Sequence, residues 1–135
     1  IDVSLVGSEM CIRDRLSNEK SVKTGIRNLL ESSIHCTISD ADKKGCFVVN
    51  STTELVPGDD EMLKALSKNR ASFEKVFFEF LQKGQATGEI PPNKDIKTLS
   101  GLIYTVFSGL NVIAKLEKSP KKLMAQIDQI VGLLD

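Results

Sequence analysis

The chain has 135 residues, with 18 basic and 18 acidic side chains and a formal net charge of zero. That length is enough for one domain with a real core. The neutral balance excludes the broad basic footprint of a nucleic-acid-binding surface, so no operator-type DNA contact is expected from these residues by themselves.

In chain order, the first feature is Leu5 to Asp14, LVGSEMCIRD, followed by Arg15. This string resembles the conceptual translation of a transposase-based sequencing adaptor ending in its mosaic end. Residues 1–15 are therefore expected to be a non-native leader with few core contacts, set aside as a fusion scar would be. The expected domain is 16–135, with the native chain cut at about Leu16. Setting aside Arg13, Arg15, Asp2, Glu9 and Asp14 leaves one more base than acid.

From there the periodicity is helical nearly throughout. A helix is predicted from about Asn18 to Ile38, with Val22, Ile26, Leu29, Leu30, Ile34 and Ile38 on one face. Gly25 weakens it locally by roughly 1 kcal/mol relative to Ala. Ser39 to Gly45 reads as a polar loop. Cys46 to Val56 is taken as a short helix ending at Pro57-Gly58, although Val48, Val49, Thr52 and Thr53 have strand propensity. Asp59 or Asp60 should cap a long helix that frays near Gly84 and stops by Gly88. Its apolar stripe is Leu63, Leu66, Phe73, Val76, Phe77, Phe80 and Leu81. Asp95 should cap a helix running to about Lys118. Ser119 caps the last one, with Pro120 in its first turn, where the missing N–H is harmless. The fold class expected is all-α, a bundle of about five helices.

The helix from Asp95 has two packing faces. Ile96, Leu99, Ile103, Val106, Phe107, Leu110 and Ile113 form one; Gly101, Thr105, Ser108, Gly109 and Val112 form a second, of small residues. Small side chains admit close approach by another helix. A homodimer is expected, with this face and the stripe Leu123, Ile127, Ile130 and Leu134 of the last helix at its two-fold seam. The alternative is that the small face receives a helix of the same chain. Leu102 to Ala114 is the longest apolar stretch, and with Tyr104, Thr105, Ser108, Gly109 and Asn111 inside it, it reads as too short and too polar to span a bilayer.

Catalysis finds little support. The single histidine, His35, sits beside Cys36 on a predicted helix, where neighbours point about 100° apart and form no relay. No Gly-rich phosphate loop and no His/Cys spacing for a metal is present, so neither cofactor nor metal is expected. Cys36 and Cys46 suit a reducing cytoplasm. Cys46 reads as a small buried hydrophobe, with a thiol sensor as the alternative. Lys115, Lys118, Lys121 and Lys122 read as a solvated surface.

The segment Lys44-Gly45-Cys46-Phe47-Val48-Val49-Asn50-Ser51, followed by Glu54, resembles the middle region of the regulatory domain in TetR-family transcription factors. The later order is similar to that family as well: Gly88-Glu89-Ile90 after a long helix, then Asp95, then Ser108-Gly109-Leu110, then a closing helix with Leu123 and Ile127. The resemblance covers about Asn18 to Asp135. It implies the dimerising, effector-binding half of a cytoplasmic repressor, with operator DNA bound only through a helix-turn-helix domain absent here. It also implies a cavity for a small-molecule effector. The candidates to line it are Phe73, Phe77, Phe80, Tyr104 and Phe107, with Asn50, Glu54, Tyr104, Ser108 and His35 as polar contacts; the alternative is that the phenylalanines are plain core. A helical interaction module without effector is the competing function, marked by a dry core and a dimer seam. A small helical enzyme is a third, disfavoured by the absence of a catalytic constellation.

Overall fold

A computed structural model describes residues 11–39 and 47–135. Helical residues 11–17 (α1) lead into α2 (Val22–Ser39), α3 (Phe47–Glu54), a single 3-10 turn at Val56–Gly58, α4 (Asp60–Ala86), α5 (Ile96–Ile113) and α6 (Pro120–Gly132). No strand occurs among the described residues. The β-branched run at 47–54 is helical because there is no second strand for it to pair with, and tertiary context overrides weak propensity.

The helix starts follow local chemistry. Asp59 accepts from the Met62 N–H and Asp95 from the Thr98 N–H and hydroxyl, satisfying otherwise orphaned first-turn donors. Ser119 occupies the cap position of α6 without a side-chain bond; Glu117 instead accepts its N–H at 2.9 Å. α5 ends at Ile113, short of Lys118, because the chain tightens into turns over residues 114–116.

α5 packs along α4, α6 lies along α2, and α2 closes the bundle against α4 and α5. The main core joins Val22, Ile26, Leu30 and Ile34 of α2 to Phe73, Phe77 and Leu81 of α4, Ile103 and Leu110 of α5, and Leu123 and Ile127 of α6. Two glycines set the closest approaches. A Cβ on Gly25 would lie 2.7 Å from the Phe80 ring, and one on Gly84 would lie 2.8 Å from Ile90. Gly25, a weak helix former in isolation, is therefore the notch that lets α2 sit on α4.

Two features bear on the sequence expectations. Ile12 and Leu16, one helical turn apart on α1, are both buried in the main core, and Arg13 pairs with Glu79 at 3.3 Å. Ile12 is thus a core contact from within residues 1–15, where few were expected. Second, the apolar helix is longer than Leu102 to Ala114: by length and composition alone, Ile96–Ile113 is sufficient to cross a membrane. Its Ser100, Ile103, Leu110 and Asn111 are nevertheless buried in the bundle, and Asn111 accepts from Ser33 and Thr37 of α2 at 3.0 and 3.2 Å. A helix that joins a polar network on a neighbour is placed as a core helix.

The α4–α5 connection is tied back to α2. Gly88 adopts φ of 80°, the left-handed conformation that ends a helix and that glycine takes without strain. Glu89 then reaches the start of α2. Its carboxylate accepts from the Ser21 hydroxyl at 2.6 Å and from the Val22 and Lys23 N–H groups at 2.7 and 2.9 Å. Burial pushes the Glu89 carboxyl up, but the bonds from Ser21, Lys23 and Val22 and the Lys23 charge outweigh it and hold the group below its ordinary value.

Candidate functional site: a cleft between α3, α4 and α5

A cleft of about 480 Å³ opens where α3 and the first half of α4 meet the outer face of α5. This is within the usual size range of small-molecule sites. α3 and the turn after it contribute Val49, Thr52, Thr53 and Val56. Leu63, Leu66, Ser67 and Arg70 come from one face of α4. The α5 wall is Tyr104, Thr105, Ser108, Gly109 and Val112. The surface is mostly apolar with hydroxyls interspersed, and among the described residues Arg70 is the one charged side chain that lines it.

Local sequence explains each wall. Leu63, Leu66, Ser67 and Arg70 recur at three- and four-residue intervals, so they share a face of α4. On α5 the small residues leave a shallow groove: a Cβ on Gly109 would meet no atom within 4 Å. Thr53 donates its hydroxyl to the Val49 and Asn50 carbonyls, and Thr105 donates to Gly101, so both hydroxyls are satisfied by their own helices. Arg70 Nε donates to Glu74 Oε1 at 2.9 Å. Glu74 in turn rests against Gly101, where a Cβ would stand 3.5 Å from its Oε1.

Of the residues expected to bind an effector, the structure brings Tyr104 and Ser108 to the cleft. Phe73 and Phe77 are core, at 4% and 0% exposure. Phe107 stacks on Phe73 with ring centroids 6.4 Å apart, and Tyr104 meets the same ring at 5.8 Å. The aromatic group is thus an α4–α5 packing cluster whose outermost member, Tyr104, reaches the cleft. Asn50 accepts from Lys115 at 3.4 Å, Glu54 is exposed, and His35 is exposed beside Glu31. None of these three lines the cleft.

The residues expected at a dimer seam also divide. Thr105, Ser108, Gly109 and Val112 do sit on an uncovered face, and four of the five small residues line the cleft. Gly101 faces Glu74, which a Cβ there would meet at an ordinary contact distance of 3.5 Å. Leu123, Ile127 and Leu134, at 0%, 0% and 1% exposure, are covered by their own chain, and Ile130 is half-buried. The α6 stripe is needed to hold α6 on α2, so it does not double as a seam. Large apolar side chains left exposed in the last third of the chain are Val112, Ile113, Leu116 and Leu133.

Sequence reasoning missed Arg70, Ser67 and Leu63. Their signal was the α4 face that mixes leucine with a serine and an arginine at helical spacing, which periodicity alone reads as the edge of a core stripe. Cys46 and most of the Lys44–Ser51 motif's start lie outside the described residues. Cys11 and Cys36 are exposed thiols, and no group of three or more potential metal-ligating His, Cys, Asp or Glu side chains occurs among the described residues.

Residues 23–130 match the family model "Tetracyclin repressor-like, C-terminal domain". The chain is 32% identical over 114 residues to the HTH-type transcriptional repressor ComR of Escherichia coli (strain K12), covering 84% of this chain and 52% of ComR. It therefore spans about half the length of that relative. It is 25% identical over 132 residues to the uncharacterized HTH-type transcriptional regulator YezE of Bacillus subtilis (strain 168), covering 97% of this chain and 68% of YezE. Among solved structures it is similar to a cysteine mutant of the TetR family transcriptional regulator CifR complexed with 26-base-pair operator DNA. The TM-score is 0.84 at 25% identity, over 98% of this chain and 70% of that one. A TetR-family regulator from Cytophaga hutchinsonii shares the fold at 18% identity, with a TM-score of 0.77 over 99% of this chain and 68% of that one. The all-helical bundle, its helix order and a family match over most of the chain agree: this chain belongs to the tetracyclin repressor-like C-terminal domain family.

Proposed function

We propose that this chain is the effector-binding and dimerising half of a TetR-type transcriptional repressor, acting in the cytoplasm with an operator-reading domain that lies outside these 135 residues. The observation that carries the reading is the cleft itself. A helical interaction module without effector would present a dry seam, whereas here an open, mostly apolar cleft of about 480 Å³ is walled by the same helix that bears the uncovered small-residue face. The operator-bound state of CifR and the repressor name of ComR support the DNA-linked role.

The mechanism is a coupling between two sites. An effector that prefers one arrangement of α3, α4 and α5 shifts the population of states of a two-fold dimer. In the whole regulator that shift alters the separation of two DNA-reading helices, and half-site spacing is geometrically strict. The seam would be built from Val112 and Ile113 of α5 and Leu116 in the turn after it, with Leu133 beyond α6, burying roughly 1,200–2,000 Å² in total if it is a specific stable interface.

Two variants separate the two roles. Leu116 is 79% exposed and lies outside the cleft. Leu116→Asp should give a folded monomer in a light-scattering dilution series at tens of micromolar, while still taking up the neutral fluorescent probe N-phenyl-1-naphthylamine saturably. Gly109→Trp should fill the groove and abolish saturable probe uptake without lowering the melting temperature. A wild-type chain that neither dimerises nor binds the probe would sink the reading.

A further inference from the structure

We infer that the cleft selects a monoanionic amphiphile: an apolar body of medium length with a single carboxylate, held by the outer edge of Arg70. This deepens the effector reading above and rests on it. The first ground is charge. Among the described residues, Arg70 is the one ionised group lining a mostly apolar cleft, and its partner Glu74 lies outside that lining. An ammonium-bearing ligand would face a guanidinium with no counter-charge in the lining. A polyanion would find one cation where it needs several.

The second ground is the geometry of that cation. Arg70 commits its Nε to Glu74, one turn along the same helix, at 2.9 Å. A guanidinium has five N–H donors arranged in two forked edges. A bond at Nε leaves the edge formed by the two terminal nitrogens, which is the edge that matches a carboxylate with two parallel hydrogen bonds. Glu74 lies beside Gly101 of α5 and is itself about one-third exposed, at 31%. Arg70 is 62% exposed, yet this anchor restrains its rotamer before a ligand arrives, so less freedom is lost on binding. Glu74 is thus a positioning residue; it does not line the cleft.

The third ground is what two of the cleft's hydroxyls do. Thr53 and Thr105 bond back to their own helices. They add little demand for a hydroxyl-rich ligand such as a sugar. Leu63, Leu66 and Val112 supply apolar wall on both sides of the groove. An alkyl or aryl body gains by burial there, at about 25 cal/mol per Å² of apolar surface.

The test is isothermal titration of the full chain with three probes of one chain length: octanoate, octanol and octylammonium. Octanoate should bind more tightly than octanol, and octylammonium weakest. Arg70→Gln should weaken octanoate by about tenfold or more, as expected for lost charge-assisted bonds, and leave octanol within about twofold. Arg70→Lys keeps the charge and loses the fork, and should fall between wild type and Arg70→Gln. Circular dichroism of both variants should match wild type, because the side chain is largely in solvent. Equal affinity for octanoate and octanol, or an octanoate preference that survives Arg70→Gln, would overturn the anion assignment and leave the effector reading standing. Failure of both octanoate and octanol to bind would count against that reading as well.

Discussion

Phe77→Ala should lower the stability of this domain by about 3–5 kcal/mol, the range for removing a buried phenylalanine from a packed core. Phe77 is the largest side chain in the core with no exposure at all. It belongs to the cluster in which α2, α4, α5 and α6 meet, so no single neighbour can relax into the space. A domain of this size has only about 5–15 kcal/mol of net stability, so much of it would be lost. Chemical denaturation measures this directly. A midpoint shift equivalent to less than about 1.5 kcal/mol would show that the site collapses around the cavity, and that the packing described for α4 is looser than stated. The same variant also separates core from ligand site: octanoate uptake per folded molecule should be unchanged, because Phe77 is not part of the cleft wall.

The second large effect belongs to Glu89. Its carboxylate accepts three hydrogen bonds at the start of α2, two of them from backbone N–H groups that have no partner inside their own helix. Bonds to an ionised acceptor contribute about 1.5–3 kcal/mol each at most, and they share one partly exposed group. Glu89→Ala should therefore destabilise by about 2–4 kcal/mol in total. The pH dependence has a definite sign. The folded-state carboxyl is held below its ordinary value, so its stabilisation is fully present above the unfolded value of about 4.3 and fades as pH falls through the folded value. Glu89→Gln should lack that part of the acid limb, and its stability relative to wild type should converge as pH drops below about 4. Parallel stability curves for wild type and Glu89→Gln between pH 6 and pH 3 would be inconsistent with the capping role.

These two residues also show where the sequence was legible. Phe77 stood out as core because it recurs with Phe73, Val76, Phe80 and Leu81 at helical spacing, and spacing is a local property. The helix order, the Asp59 and Asp95 caps and the Pro120 start were legible for the same reason. Glu89 was visible only as part of a family-like string. Its partner lies 66 to 68 residues earlier in the chain, and no local pattern announces an acid that caps a distant helix. The cleft failed in a similar way. Phenylalanines were taken for its lining because they are large and apolar, but large apolar side chains are also what a bundle buries first. The groove formed instead where small residues on α5 left α3 and α4 without a tight neighbour. The α6 stripe is legible as an apolar face, and its own chain covers Leu123, Ile127 and Leu134, a detail that an amphipathic pattern does not specify.

One helix, α4, is 27 residues long and passes through two environments. Its later half carries Phe73, Val76, Phe77, Phe80 and Leu81 into the main core. Its earlier half is held by Met62 and Leu66 with Val56, a satellite cluster separate from that core. Resistance to local opening follows buried contact, so backbone amides near residues 60–70 should exchange with solvent by opening events that leave residues 73–84 closed. The cleft is built on the yielding half. A molecule lodged there would tie Leu66 and Arg70 to α5 and pass rigidity along a continuous helix into the domain centre, so that its arrival would register as slowed hydrogen exchange at a distance, with no need for any helix to change position.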